Sequence, residues 1–379
     1  MTIAPPASAR LSVPFYDLGP TSAAFRDSLL EDVAGLLDSG AFTNGPAVRE
    51  FEEAFARYVG AGSCVGLASG LDALRLALLA GGLERGEEVV VPAATFAATF
   101  EAVTQAGGVP VVADVREDDY CLDPDAGAVA ISPRTRFLLP VHLYGQMADL
   151  RALTRVASRH AVGIVEDACQ AHGAERDGSA AGTVGIAAAF SFYPAKNLGA
   201  IGDAGALVTD DEEVAETVRS LREHGQGRKY HHALEGYTAR LDTIQALALL
   251  HKLPHLDGWT AARRAIAAHY TAELAGVGDL HLPVVPPGSE PVWHLYVVRT
   301  ADPAALAVFL AERGVGSGRH YPEPPHLSEA YARLDYRPGA FPVAEALSRE
   351  ALSLPLFPGM TEAQLDAVVH AVKTFFSGS

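Results

Sequence analysis

One lysine, Lys196, lies in the run FSFYPAKNLGAIGDAG (190–205), whose other residues are mostly aromatic, small or glycine. A lysine normally stays in water, because burial of an unpaired ammonium is costly. Two interpretations follow. Lys196 is either a solvated lysine on a surface loop, or a lysine in a dry pocket where desolvation lowers its pKa and makes the amine a nucleophile or a base.

A carboxylate precedes this lysine at the end of another apolar run. Asp167 lies in VGIVEDACQAHGA, and Ser191 lies shortly before Lys196 at the end of a later run. An aspartate at such a point is commonly the N-cap of a helix. The alternative is a Schiff-base site for pyridoxal 5′-phosphate, in which the aspartate keeps a ring nitrogen protonated, the serine holds the phosphate and the lysine supplies the amine.

A further segment has the features of a phosphate-binding turn. CVGLASGLDALRLAL (64–78) reads as a strand, the turn Ser69–Gly70–Leu71 and a helix. Free amides at a helix N-terminus bind phosphate, and the helix dipole adds to this attraction. An ordinary capped helix has the same pattern, so the segment is informative only beside the aspartate and the lysine. Phe96, which follows another strand, is either a core residue or a ring stacked on the cofactor.

Short apolar runs precede these residues and predict the strands of one sheet. Most runs are continuously hydrophobic, as in strands buried on both faces of a mainly parallel sheet. Segments with helical spacing, such as 71–82 and 148–160, separate them. The fold class is therefore α/β, in which ligands bind at the carboxyl ends of the strands. The predicted strands are 64–67, 88–93, 109–115, 136–145, 162–168, 187–193 and 205–209.

The pattern changes after the helical segment 238–253. A second amphipathic segment, 256–274, is followed by a strand at 292–300 and by further helical stretches. A chain of 379 residues is long for one hydrophobic core. We expect a large cofactor-binding domain over 12–254 and a smaller α+β domain over 255–379, to which the N-terminal arm contributes.

The composition argues against several other functions. The formal net charge of −17 disfavours nucleic acid as a partner, because phosphate backbones bind basic surfaces. Three scattered cysteines are too few for a disulfide framework or a metal site, and the N-terminal segment does not read as a signal peptide. No apolar run approaches the roughly 20 residues of a membrane span. We therefore expect a cytoplasmic protein with no metal and no membrane partner.

Five longer motifs indicate a family. VHLYGQMADL, VEDACQAHGA, SFYPAKNLGAIGDAGALVT, PVWHLYVVRT and HYPEPPHL match, in order and spacing, the DegT/DnrJ/EryC1/StrS group of sugar aminotransferases that depend on pyridoxal phosphate. The chain resembles this family from VPFYDL near its start to LSLPLFPGM near its end. The resemblance implies the type I fold of pyridoxal-phosphate-dependent transferases, similar to aspartate aminotransferase, and pyridoxal 5′-phosphate as the cofactor.

The resemblance also implies roles for the residues around the cofactor. Lys196 would bond covalently to the cofactor and later move a proton between substrate and cofactor, while Asp167 would pair with the protonated pyridine nitrogen. Gln170 would contact the ring hydroxyl. Ser191 and the turn Ser69–Leu71 would hold the phosphate.

The resemblance implies a homodimer with shared active sites and roles for three further residues. Thr238, in GYTARLD, replaces an asparagine with which many relatives contact the phosphate of the neighbouring subunit, and its hydroxyl is expected to donate instead. Arg240 follows in the same motif and is expected near the substrate. Lys229, in GRKYHH, would reach the diphosphate of a nucleotide sugar across the dimer interface.

The resemblance implies a reaction as well. Tyr193, His320 and Tyr321 would line a sugar pocket, and the protein would transfer an amino group from L-glutamate to a thymidine-diphosphate-linked (TDP-linked) keto-6-deoxyhexose, at position 3. A 4-ketosugar or an aminocyclitol precursor is an alternative substrate. A dehydratase of the same family carries histidine where Lys196 stands. A regulatory protein on this fold would be expected to lose Asp167, Ser191 or Lys196.

Overall fold

The computed structural model of the protein describes residues 12–378. Residues 1–11, which form most of the segment in which we predict no signal peptide, and residue 379 lie outside the described residues. Within residues 12–378, no helix combines the length and the apolar character needed to cross a membrane.

The α-helices are α1 (Gly19–Ser22), α2 (Arg26–Ser39), α3 (Pro46–Val59), α4 (Gly70–Ala80), α5 (Ala97–Gln105), α6 (Pro124–Ala130), α7 (Leu150–His160), α8 (Glu212–Arg222), α9 (Thr243–Lys252), α10 (Leu256–Leu274), α11 (Pro303–Glu312), α12 (Pro342–Glu350) and α13 (Glu362–Ser377). The strands are β1 (Ser63–Leu67), β2 (Glu88–Pro92), β3 (Val109–Ala113), β4 (Thr135–Leu138), β5 (Gly163–Asp167), β6 (Glu175–Arg176), β7 (Ser179–Ala180), β8 (Ala187–Ser191), β9 (Gly205–Thr209), β10 (Gln226–Arg228), β11 (His231–His232), β12 (Ser289–Glu290), β13 (Tyr296–Arg299) and β14 (Ala351–Leu354).

Seven strands form the central sheet, in the order β1-β9-β8-β5-β4-β2-β3. Each of the seven predicted strands is one of them. The pairs β5–β8, β4–β5, β2–β4 and β2–β3 are parallel, whereas β9 is antiparallel to both of its neighbours. The predicted α/β fold with a mainly parallel sheet is therefore confirmed, with β9 as the one reversed strand of this sheet.

Burial explains why these segments form strands and helices. Val89, Val90 and Val91 of β2 are fully buried, as expected for a strand covered on both faces. Helix α7 buries an apolar stripe against the sheet, and the Asp149 carboxylate caps its first turn by accepting a hydrogen bond from the Ala152 amide at 2.8 Å. The predicted helix 148–160 is thus observed at Leu150–His160.

The predicted strand 136–145 is observed only at β4, and Leu143–Gly145 form a 3₁₀ turn instead. Two further predicted elements are shortened by contacts with distant segments. Residues 238–241 are extended instead of helical, because Thr238 bridges Glu223 and Arg240 bridges Leu67 before α9 begins. The predicted strand 292–300 is reduced to β13, because the Val292 amide donates to the Gly145 carbonyl at 2.9 Å outside any sheet. In both cases a contact with a distant segment replaces the local preference.

We propose that the chain divides into domains over 12–254 and 255–379. A separate apolar cluster supports this proposal, since it is built almost entirely from residues of α10, α11, α13, β13 and β14. Val13 belongs to the same cluster and forms a parallel bridge with Val315, in keeping with a contribution from the N-terminal arm. Tyr331 and Phe341 pack against the larger cluster around the central sheet, so the two regions share an extensive contact.

Candidate active site

A cavity of about 510 Å³ opens where the central strands end. Strand β5 ends at Asp167 and β8 ends at Ser191, while α4 and α5 begin after β1 and β2. The carboxyl ends of parallel strands meet at one edge of a sheet, which brings these segments together. Eleven of the predicted site residues line this cavity: Ser69, Gly70, Leu71, Phe96, Asp167, Gln170, Ser191, Tyr193, Lys196, His320 and Tyr321.

The Asp167 carboxylate is buried and held by two hydrogen bonds. Its Oδ2 accepts from Thr99 Oγ1 at 2.9 Å and its Oδ1 accepts from the Cys169 amide at 3.2 Å. No lysine or arginine within residues 12–378 forms an ion pair with it. No helix begins here, since turns follow β5, so the N-cap interpretation does not apply. The chain thus points an unneutralised carboxylate into the cavity.

Lys196 lies in the loop between β8 and β9, half-buried at the cavity wall. Its Nζ makes no hydrogen bond or ion pair with any residue that the structure describes. Burial lowers the pKa of the Lys196 amine, although the nearby Cys169 and Asp167 act in the opposite direction. A lowered pKa increases the neutral, nucleophilic fraction of the amine. The solvated-loop interpretation therefore does not describe this side chain.

The start of α4 and the end of β8 form a cradle for an anion. Ser69 Oγ accepts from the Asp72 amide at 3.0 Å, which leaves the amides of Gly70 and Leu71 without partners in the described chain. A Cβ on Gly70 would lie 2.8 Å from Cβ of Ser191, so glycine is required for this close approach. Two free amides at a helix N-terminus beside a serine hydroxyl suit a phosphate.

Polar and aromatic side chains form the remaining walls. Gln170 Oε1 accepts from the Tyr144 amide at 2.8 Å, and its Nε2 donates to the Tyr321 hydroxyl at 3.2 Å. The rings of Phe96 and Tyr321 lie 5.2 Å apart. His320 Nδ1 is 2.8 Å from Ser353 Oγ, and burial, with a smaller contribution from the Lys196 charge, lowers the pKa of His320 to about 4. This histidine is therefore neutral near pH 7.

Tyr193 lies at the mouth of the cavity and is 53% exposed. Its phenol is one of the few large aromatic groups of the site that remain open to solvent. Its amide donates to Ser191 Oγ at 3.4 Å, so its backbone is tied to the end of β8. The predicted sugar-side residue is thus free to meet a ligand that enters from solvent.

Three predicted residues do not line this cavity. Thr238 Oγ1 lies 3.4 Å from His224 Nε2, and Arg240 Nη1 donates to Glu223 Oε1 at 2.9 Å. Lys229 is exposed near the tip of the hairpin β10–β11, with its Nζ over the Tyr230 ring. The predicted roles of Thr238 and Lys229 involve a neighbouring subunit, and the roles of all three residues stay predictions.

Thr99, Arg263 and His294 are among the cavity-lining residues that were not predicted from the sequence. Thr99 is on α5 and resembles an ordinary buried helix residue. His294 lies inside the motif PVWHLYVVRT, which was a usable signal, and its Nδ1 is 3.2 Å from Asn197 Oδ1. Arg263 lies in the amphipathic helix α10, where no sequence pattern distinguishes it from a surface arginine.

These residues fit pyridoxal phosphate. The cavity holds an amine of lowered pKa, an unneutralised carboxylate and a separate phosphate cradle. Lys196 would bond to the cofactor, Asp167 would pair with its ring nitrogen, and the amides of Gly70 and Leu71 with the Ser191 hydroxyl would hold its phosphate. The donor set is thus complementary to an aldehyde, a protonated ring and an anion on one small molecule.

Comparison with known proteins agrees with this geometry. The model of the DegT/DnrJ/EryC1/StrS aminotransferase family matches residues 24–373. The erythromycin biosynthesis sensory transduction protein EryC1 of Saccharopolyspora erythraea is 46% identical, over 96% of this chain and 99% of that protein. The dTDP-3-amino-3,4,6-trideoxy-alpha-D-glucose transaminase of Streptomyces venezuelae is also 46% identical, over 95% of each chain.

Solved structures give the same result. The crystal structure of S. venezuelae DesV, in complex with a ketimine intermediate, matches with a TM-score of 0.94 and 46% identity, over 96% of this chain and 98% of that chain. Similar aminotransferases have been solved in pyridoxal phosphate and pyridoxamine phosphate forms, and the protein described here depends on the same cofactor. The chain belongs to the DegT/DnrJ/EryC1/StrS aminotransferase family and is a type I pyridoxal-phosphate-dependent aminotransferase.

Proposed function

We propose that this protein transfers an amino group from L-glutamate to position 3 of a TDP-linked keto-6-deoxyhexose, in the biosynthesis of a deoxyaminosugar. The observation that supports the reaction is the unpaired Lys196 amine in one cavity with the unneutralised Asp167 carboxylate. The proposed sugar and the proposed position of amination are based on the S. venezuelae relative, which is named as a transaminase of a dTDP-3-aminosugar.

Asp167 and Lys196 have separate roles in this reaction. Bound pyridoxal phosphate supplies an aldehyde that accepts an amine and a protonated ring that accepts electron density from the reacting carbon. Asp167 keeps the ring nitrogen protonated, because a buried carboxylate strongly favours a cation beside it. Lys196 Nζ takes the proton from the carbon that bears the donor amine, and it delivers a proton to the sugar carbon that receives the amine.

The sugar would enter from the open side of the cavity. The exposed Tyr193 phenol and the neutral His320 and Tyr321 side chains can exchange hydrogen bonds with sugar hydroxyls. Burial raises the pKa of the Tyr321 phenol, which keeps its proton available for donation. Neutral hydrogen-bonding side chains of this kind match the uncharged hydroxyl groups of a sugar ring.

We also propose a homodimer in the cytoplasm. In such a dimer, Lys229, Thr238 and Arg240 of one subunit would complete the site of the other. The exposed Tyr230 and Leu234 beside the hairpin β10–β11 support an interface there, because clustered exposed apolar side chains mark contact surfaces. The three cysteines are free thiols, which suits a reducing compartment.

The reaction is tested with cofactor-loaded protein, L-glutamate and either a TDP-3-keto- or a TDP-4-keto-6-deoxyhexose. Mass spectrometry is expected to detect the 3-amino product. Lys196→Ala should lower the rate by about 10²–10⁴-fold or more, because it removes the acid-base group. Lys373→Ala is the control, since this exposed lysine pairs with Glu273 and does not line the cavity.

Each alternative function has its own outcome in this assay. Amination of the 4-ketosugar alone would overturn the assignment of position 3, and a product that has lost water would identify a dehydratase. EryC1 carries the name of a sensory transduction protein. A regulatory role of that kind would be favoured if the protein bound TDP-sugars and turned none of them over.

A further inference from the structure

Arg263 is a buried guanidinium without an acidic partner. It lies on α10, is 7% exposed, and its Nη1 donates to the carbonyls of Leu356 at 3.0 Å and Trp293 at 3.3 Å. Its Nε has no partner, and Nη2 makes no hydrogen bond within residues 12–378. Burial lowers its pKa to about 10, so the side chain is still a cation near pH 7.

Two other buried arginines of the same protein are neutralised by carboxylates. Arg176 donates to Asp119 Oδ2 at 3.0 Å, and Arg299 donates to Glu117 Oε1 at 3.2 Å. Taking a guanidinium out of water costs several kcal/mol unless a charge partner and hydrogen bonds compensate. Two carbonyls satisfy only part of this requirement for Arg263. The side chain is therefore suited to an anion that enters from outside the protein.

Arg263 lines the cavity together with Lys196 and His294. The carbonyl of Trp293, the residue before His294, accepts from Arg263, and His294 lies beside Asn197, which follows Lys196. Burial and then the charges of Lys196 and Arg263 hold the pKa of His294 well below its usual value. No carboxylate within residues 12–378 forms an ion pair or a hydrogen bond with Arg263.

The phosphate cradle does not involve Arg263. The free amides of Gly70 and Leu71 are next to Ser191, whereas Arg263 contacts the backbone of Trp293 and Leu356. The diphosphate of a nucleotide sugar is separated from the reacting keto carbon by the sugar ring. In an amino acid, by contrast, the carboxylate is bonded to the carbon that bears the reacting amine.

We propose that Arg263 binds the α-carboxylate of the amino-group donor. This inference rests on the proposed function, since it assumes that an amino acid supplies the amine. The planar guanidinium can offer Nη2 and Nε to the two oxygens of one carboxylate, a geometry that arginine provides and lysine does not. Arg263 would then orient the donor amine toward the position of Lys196.

The test uses cofactor-loaded protein and two probes, 2-oxoglutarate and TDP, with dissociation constants measured by calorimetry. Arg263→Met is expected to weaken 2-oxoglutarate binding about 10- to 100-fold, because a hydrogen bond to a charged group contributes roughly 1.5–3 kcal/mol. TDP binding should not change. Arg264→Met is the matched control, since this neighbouring arginine contacts Glu290 and Pro291 and does not line the cavity.

The outcomes separate this inference from the proposed function. Equal affinity of Arg263→Met and unaltered protein for 2-oxoglutarate overturns the inference and leaves the sugar reaction untouched. Failure to bind TDP, with Arg263-dependent binding of 2-oxoglutarate, contradicts the proposed substrate and supports the inference. Absence of 2-oxoglutarate binding in the unaltered protein also overturns it.

A second measurement covers the case in which Arg263→Met does not fold. A crystal of the unaltered protein with 2-oxoglutarate should have a carboxylate within hydrogen-bond distance of the Arg263 guanidinium. A carboxylate bound elsewhere in the cavity, with Arg263 unengaged, would refute the proposal. Arg263→Lys keeps the charge and should still bind more weakly than the unaltered protein.

Discussion

Asp167 and Lys196 differ in how the cavity stabilises their side chains: hydrogen bonds support the carboxylate of Asp167, whereas burial disfavours the charged form of Lys196. The carboxylate keeps its two hydrogen bonds, from Thr99 and from the Cys169 amide, and no cation neutralises it in the described chain. The Lys196 amine has no hydrogen-bond or ion-pair partner in the described part of the chain, and burial lowers its pKa. A carboxylate without a cationic partner and an amine of lowered pKa thus lie in the same cavity, which is the combination that a cationic ring and an aldehyde require.

The hydroxyl of Thr99 is expected to contribute to the affinity for pyridoxal phosphate. Thr99→Val keeps the shape of the side chain but removes the hydrogen bond to Asp167 Oδ2. A lost hydrogen bond to a charged group costs roughly 1.5–3 kcal/mol, so the Kd for pyridoxal phosphate should rise by about tenfold or more. Absorbance titration of the cofactor-free protein measures this change.

Thr104→Val on the same helix is the control for this variant. Thr104 Oγ1 donates to the Phe100 and Glu101 carbonyls of its own helix and also interacts with the Tyr331 phenol, and Thr104 does not line the cavity. Its substitution should leave the Kd unaltered. Equal affinities in Thr99→Val and unaltered protein would mean that this hydroxyl does not support the Asp167 charge.

At the scale of elements, the close contact between α4 and β8 creates the phosphate cradle. Helix α4 begins at Gly70, and its free amides face the end of β8 at Ser191. The missing side chain of Gly70 permits this approach, since a Cβ there would lie 2.7 Å from Cys169 Sγ and 2.8 Å from Ser191 Cβ. One residue without a side chain therefore sets the position of a whole helix.

Gly70→Ala tests this dependence. The added methyl must push α4 away from β8, so affinity for pyridoxal phosphate should fall by at least about tenfold, in line with overpacking costs of about 1–3 kcal/mol. Binding of pyridoxal, which lacks the phosphate, should change much less. Gly35→Ala is the control, because this helix position has open space and alanine favours a helix there. Equal losses for both ligands would argue against a phosphate cradle at Gly70.

At the scale of the whole molecule, the cavity of one chain lacks three of the residues predicted to act at the site. Lys229, Thr238 and Arg240 lie outside it, around a hairpin whose Tyr230 is 82% exposed. A large exposed aromatic ring beside an exposed lysine is suited to a surface that meets a second copy. An active site shared between two subunits would therefore explain both the exposed Tyr230 ring and the position of these three residues outside the cavity.

Complementation between two impaired variants tests this shared site. Lys196→Ala and Lys229→Ala should each have low activity, whereas refolded mixtures should regain up to about a quarter of the sites, because half of randomly formed dimers contain one intact site. Mixing Lys196→Ala with the double variant leaves no intact site and serves as the control. A mixture that stays inactive would exclude sharing of Lys229 between subunits.

The sequence by itself determined the sheet, the reaction class and the residues at the strand ends. Asp167, Ser191 and Lys196 were predictable because continuous apolar runs define buried strands, and polar residues directly after such runs lie at one edge of the sheet. Short motifs around these residues preserve local geometry, so their chemistry can be inferred without the fold. The family resemblance extended the same inference to Gln170 and Tyr321.

Only the tertiary structure decided which distant side chains join that edge. Arg263 and His294 come from α10 and the segment before β13. The local sequence of Arg263 does not indicate that it lines the cavity, and the motif around His294 does not specify that this histidine joins Lys196 there. The hydrogen bond from Thr99 to Asp167, and the reversed direction of β9, likewise depend on packing between separated segments. Local periodicity specifies which face of an element is buried, but the partners on that face are set by the packing of the whole chain.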